Sequence, residues 1–124
     1  NGQSSSILEL GTHKYGYPSI RYVSEVEVRN NRIDKMYIED NIPDNFANFL
    51  NIDIQGAELL ALKGMGELLH HFDYAYIEVN HEYVYKKCAL VNEVDEYLLQ
   101  FNFKRVETLW TNKKWGDALY IKQK

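Results

Sequence analysis

Asp53 and Glu78 each stand near the end of a short apolar run, Phe49-Leu-Asn-Ile-Asp-Ile54 and Tyr74-Ala-Tyr-Ile-Glu-Val79. Runs of that length and character read as buried strands of an α/β sheet. In such sheets the ligand crevice lies just outside the carboxyl ends of the strands. Two carboxylates there can orient a substrate hydroxyl, accept a proton or hold a divalent ion. The plainer alternative has Asp53 capping the helix that follows and Glu78 pairing with a basic side chain. Asn80-His81-Glu82 comes directly after the second run. His81 is a candidate general base, since an imidazole titrates at about 6.5, with an exposed loop histidine as the alternative. Asn80 and His13 are candidates to contact the substrate.

Other patterns carry less. His70 and His71 are adjacent, so on a helix they point about 100° apart and cannot chelate one ion as an i, i+4 pair can. No Cys/His cluster has zinc spacing, and no metal is expected. Gly64-Met65-Gly66 echoes a dinucleotide fingerprint but follows a helix instead of a strand. Glu78-Val79-Asn80 lacks the lysine of the Glu-x-Lys nucleases, and an acidic chain is a poor fit to DNA.

The elements that must position these residues follow from periodicity. Residues 1–19 are a polar loop, in which Ser4-Ser5-Ser6 is either a linker or the polar lip of a site. Residues 20–47 hold a half-exposed strand at 20–29, then a turn and connector, with a short helix or the end of a β excursion at Ile33 to Tyr37. Residues 48–124 form a βαβαββ unit. Leu59, Leu60, Leu62, Met65, Leu68, Leu69 and Phe72 give one broad helical face, with Gly64 placed to end the helix. Val91, Val94, Leu98 and Phe101 mark a second helix, with Asn92 as its N-cap and Asp95 in its first turn. Phe103 to Trp110 and Ala118 to Lys122 are strands joined by a hairpin over Asn112 to Asp117, flanked by Trp110 and Trp115. The hairpin sets one strand antiparallel to the rest.

Bulk properties bound the answer. With 124 residues there is at most one domain, and 45% hydrophobic with 26% charged residues is ordinary for a globular chain. A net charge of −4 argues against a nucleic-acid or anionic-membrane surface. The single cysteine, Cys88, reads as a reduced, half-buried thiol. No apolar run approaches the roughly 18 residues that span a bilayer, and the cytoplasm is the default expectation.

The run Phe49-Leu-Asn-Ile-Asp-Ile-Gln-Gly-Ala-Glu-Leu-Leu-Ala-Leu-Lys-Gly64 resembles the FkbM-type methyltransferases. Their pattern here is Lys-Ile-Asp-(Val/Ile)-(Glu/Gln)-Gly-x-Glu, followed by a helix ending near Leu-Lys-Gly. The likeness continues through Ile77-Glu78-Val79 and the 91–101 helix into Phe103-Lys-Arg105. Gly2-Gln3-Ser4-Ser5-Ser6 resembles the small polar loop upstream. Asn51 and Gln55 depart from the frequent Lys and Glu. The resemblance implies the C-terminal half of a Rossmann-like, seven-stranded methyltransferase fold. Its sheet would be mostly parallel, with a terminal antiparallel hairpin. It implies S-adenosylmethionine as cofactor and O-methylation of a sugar, lipid or small metabolite. Asp53, His81 and Glu78 would be catalytic, and Ser4, Ser5 and Gln55 would touch the cofactor. The first strand, Gly-rich turn and ribose-binding acid of that fold are not in the sequence, so these residues alone are expected to bind the cofactor weakly or not at all. The strand at 49–54 is expected to pair through its edge with a second copy or with the other half-domain. A non-catalytic half-domain that binds protein or glycan is the rival reading.

Overall fold

Side chains alternate along a strand, so register decides which face of a sheet each residue joins. The computed structural model describes residues 7, 8, 30–83 and 87–124. The expected strand at 20–29, along with Ser4, Ser5 and His13, lies outside the described residues. The elements are α1 (Ile33–Glu39), β1 (Phe49–Ile52), α2 (Glu58–Met65), a 3-10 segment (Gly66–His71), β2 (Tyr74–Asn80), α3 (Val91–Leu99), β3 (Phe103–Trp110) and β4 (Trp115–Lys122). The strands form one mixed sheet in the order β1-β2-β4-β3. β1 is parallel to β2, with Ile52 opposite Ile77. β4 is antiparallel to both of its neighbours. Three strands therefore run one way and β4 runs against them, as the closing hairpin demands. The two acid-bearing runs lie side by side.

Register sorts the sheet into two unlike faces. Leu50 and Ile52 stand opposite Ala75 and Ile77, and these in turn opposite Tyr120 and Ala118. This face packs under Leu62, Met65 and Leu69 from α2 and the 3-10 segment, and under Val94 and Leu98 from α3. Burying a side chain of this size contributes about 1.5–3 kcal/mol, so this single layer of helix on sheet holds the fold together. The opposite face carries Phe49, Asn51, Tyr74, Tyr76, Glu78, Asp117 and Leu119. No helix among the described residues covers it, and Phe49 and Tyr74 are exposed.

Several ends differ from the sequence reading. β1 stops at Ile52, which leaves Asp53 and Ile54 in the turn that follows. α2 runs through Gly64, and Gly66 takes the positive φ of 53° that closes it. Asn92 is inside α3; the N-cap is Leu90, whose N–H donates to the Glu93 carboxylate at 3.0 Å. Glu93 thus does the satisfying from within the first turn. Asp95 lies beyond the first turn and instead accepts from Arg105, whose Nε donates at 3.0 and 3.2 Å and whose Nη2 donates at 3.0 Å, and from the Tyr120 hydroxyl at 2.6 Å. β4 begins at Trp115, three residues earlier than its apolar core indicates. Cys88 is fully buried.

Candidate functional site

The turn between β1 and α2 builds the site. Gln55 at φ 55° and Gly56 at φ 105° reverse the chain within two residues. Glycine is at home in that region, and Gln55 is strained there. The reversal turns the first residue of α2, Glu58, back under the loop. Its carboxylate accepts the N–H of Ile54 at 2.7 Å and of Gly56 at 3.1 Å. The same side chain is only 3% exposed. Burial raises its pKa, and the two loop N–H groups oppose that rise by favouring the ionised form.

Asp53 stays exposed at the mouth of the turn, and the Gln55 side-chain amide donates to its Oδ1 at 2.9 Å. Glu78, 9% exposed, faces it from β2. Burial, then the charges of Asp53 and Glu58, push the Glu78 pKa up to about 8, aided by a hydrogen bond to Asp53 and by the charge of Asp117. A carboxyl in that state keeps its proton near neutrality. Asp117 is the register partner of Glu78 on β4, and burial followed by the Asp53 charge raises its pKa too. One oxygen each from Asp53, Glu58 and Glu78 lies within 4.8 Å of the others.

The ion pairs among the described residues are Arg32–Asp34, His70–Glu67, His71–Asp44, Arg105–Asp95 and Lys114–Glu82, and none of them reaches these acids. Asn80, two positions beyond Glu78 on the same side of β2, is 2% exposed, and its Oδ1 has no hydrogen-bond partner among the described residues. An orphaned buried acceptor costs about 1–3 kcal/mol.

The structure thus joins Asp53, Glu78 and Gln55, which the sequence singled out, and adds Glu58 and Asp117, which it did not. Glu58 read as an ordinary first helical residue, and Asp117 read as part of a loop. The Asp-Ile-Gln-Gly-Ala-Glu spacing was the available signal for Glu58. For Asp117 no local signal exists, because only register sets it opposite Glu78. His81 stands apart. Its ring stacks on Trp110 at 3.4 Å between centroids. His70 and His71 are taken up at the surface by Glu67 and Asp44. A groove of about 350 Å³ beside α2 is lined by Gly56, Leu59, Leu60, Lys63, Tyr83 and Glu93, and the carboxylates of Asp53, Glu58 and Glu78 do not line it.

A strand, a glycine turn and a carboxylate cluster at the strand ends are general to many α/β proteins, so the geometry alone leaves the family open. The model of a family described as the methyltransferase FkbM domain matches residues 1–105. The chain belongs to this family. No curated protein and no solved structure gives a significant match. FkbM membership indicates methyl transfer in general, for which S-adenosylmethionine is the general donor. In this FkbM domain the turn N–H groups of Ile54 and Gly56, which open towards α2, are already taken by Glu58. Those two N–H groups are therefore not free to meet a cofactor.

Proposed function

We propose that this chain contributes the acceptor side of a methyltransferase that moves the methyl group of S-adenosylmethionine to a hydroxyl of a sugar, lipid or small metabolite. The observation that carries the proposal is the exposed Asp53 carboxylate at the ends of two parallel strands, inside a family of methyltransferases. When bound, the cofactor supplies the electrophilic methyl group. The task left to the protein is to hold an oxygen in line with it and to receive the proton that oxygen loses. Asp53 suits that task by exposure, and Gln55 fixes its carboxylate from one side. Glu78 sits behind it, within the same cluster. Asn80 at the end of β2 and His13 are the proposed acceptor contacts, and His81, the residue after Asn80, is the proposed catalytic partner of Asp53. Ser4, Ser5 and Gln55 are the proposed cofactor contacts. In the same reading the sheet is part of a seven-stranded Rossmann-like sheet.

The test is transfer of labelled methyl from S-adenosylmethionine to a panel of hydroxyl-bearing sugars and lipids, by the protein expressed from its full reading frame. Asp53→Asn keeps the shape and removes the charge. Its rate is expected to fall by about a hundredfold or more, the usual contribution of a positioned base. An unchanged rate in the variant overturns the assignment of Asp53.

A further inference from the structure

The negative charge gathered at the ends of β1 and β2 is larger than one proton transfer needs. Three acids bring oxygens to within 4.8 Å of one another, and two of the three are buried. A fourth, Asp117, faces Glu78 across the sheet register. The charges that act on Glu78 are those of Asp53, Glu58 and Asp117, all of one sign. Buried like charges repel strongly unless a proton or a cation stands between them.

A second observation points to a ligand. Asn80 Oδ1 is a neutral oxygen donor with no partner among the described residues, on a side chain 2% exposed. Residues two apart on a strand project from the same face, so the Asn80 side chain leaves β2 on the side of Glu78. Carboxylate and amide oxygens, with no nitrogen or sulfur among them, are the donor set of a hard divalent cation. Two oxygens bound on opposite sides of Ca²⁺ lie about 4.6–5.2 Å apart, twice its usual metal–oxygen distance. The three oxygens lie within that upper limit of one another, as ligands of a single ion must.

We infer that Asp53, Glu58 and Glu78, with Asn80 as a neutral fourth donor, form a binding site for a hard divalent cation. This departs from the expectation of no metal drawn from the sequence. The reason is that Glu58 and Asn80 join the cluster only through the turn and the strand face. The inference does not rest on the methyl-transfer reading, although both use Asp53 and Asn80, and cation binding is read without any methyl transfer.

The experiment is calorimetric titration of the chelator-treated chain with Ca²⁺, and with Mn²⁺ followed by loss of its free paramagnetic resonance signal. Wild type is compared with Glu78→Gln and Asn80→Ala. One-to-one binding with a dissociation constant of about 1 mM or lower is expected, a range typical of modest oxygen sites. Glu78→Gln, which removes the carboxylate the ion would ionise and keeps the shape, should weaken binding at least tenfold. Asn80→Ala should weaken it by a smaller factor. The melting temperature read in parallel keeps folding separate from binding. Cation should raise it in wild type and leave it unmoved in Glu78→Gln. Absence of saturable binding by wild type, or equal affinity in wild type and Glu78→Gln, would overturn the site.

Discussion

Glu58 shows how much one side chain can hold. Its carboxylate accepts two N–H groups of the tight turn before it, and it is buried while doing so. Glu58→Ala would orphan both donors, and the expected loss is about 1–3 kcal/mol for an unsatisfied buried group. Glu58→Gln keeps one acceptor oxygen, enough for the Ile54 N–H, but sets its NH₂ against the Gly56 N–H, so it should lose less than Glu58→Ala without matching wild type. Denaturant unfolding of the two variants checks the pair. A Gln variant as damaged as the Ala variant would show that charge, not acceptor capacity, is what the turn requires. At this scale Asp53 and Glu78 were legible, because an acid at the end of an apolar run is a local pattern. Glu58 was legible only as a residue type in a spacing. Its inward turn comes from two successive positive φ values at Gln55 and Gly56.

Among the elements, the hairpin strand β4 decides most. A Cβ at Gly116 would come within 2.7 Å of the Leu109 carbonyl oxygen and 2.8 Å of the Trp110 ring. Gly116→Ala must therefore push β3 and β4 apart, at an expected cost of about 1–3 kcal/mol, read as a lowered melting temperature. Because Asp117 follows directly, the same variant should disturb its approach to Glu78. β3 and β4 are tied to α3 through Asp95, which accepts from Arg105 and from the buried Tyr120 hydroxyl. Asp95→Ala leaves that hydroxyl without its acceptor and should cost about 1–3 kcal/mol. Tyr120→Phe, which removes the stranded group itself, should cost less. A Tyr120→Phe variant that loses more than Asp95→Ala contradicts this account. The Val94–Leu98 face of α3 could be read from its period, whereas the role of Asp95 could not. A charge near a helix start looks the same whether it serves the helix dipole or a partner ten residues away.

The molecule as a whole has one covered and one open side. Phe49 and Tyr74 are exposed on the face that no described helix covers, and β1 has a strand neighbour on one side only among the described residues. An apolar strand edge of this kind favours pairing with another chain. Light scattering across a concentration series is expected to show association, and a strictly monomeric chain at every concentration would count against it. The turn after β1 spends its N–H groups on Glu58, and no Gly-rich cofactor loop stands among the described residues. S-adenosylmethionine is therefore expected to bind these 124 residues weakly or not at all. Micromolar binding by calorimetry would reverse that expectation. Among the described residues no helix is long and apolar enough to cross a membrane.

Local chemistry was written in the chain itself. Apolar periodicity set the order of strands and helices, the glycine turn after β1, and the two acids at the strand ends, because each depends on neighbours a few residues apart. The family resemblance centred on the run at 49–64 and extended along most of the chain. Tertiary structure alone decided that Asp53, Glu58 and Glu78 share one corner. Asp117 reaches Glu78 across 39 positions of sequence through antiparallel register, and burial leaves the Asn80 amide oxygen on the same strand without a partner among the described residues. Such distances close only when the sheet forms, since strand pairing is a long-range contact that no local pattern encodes.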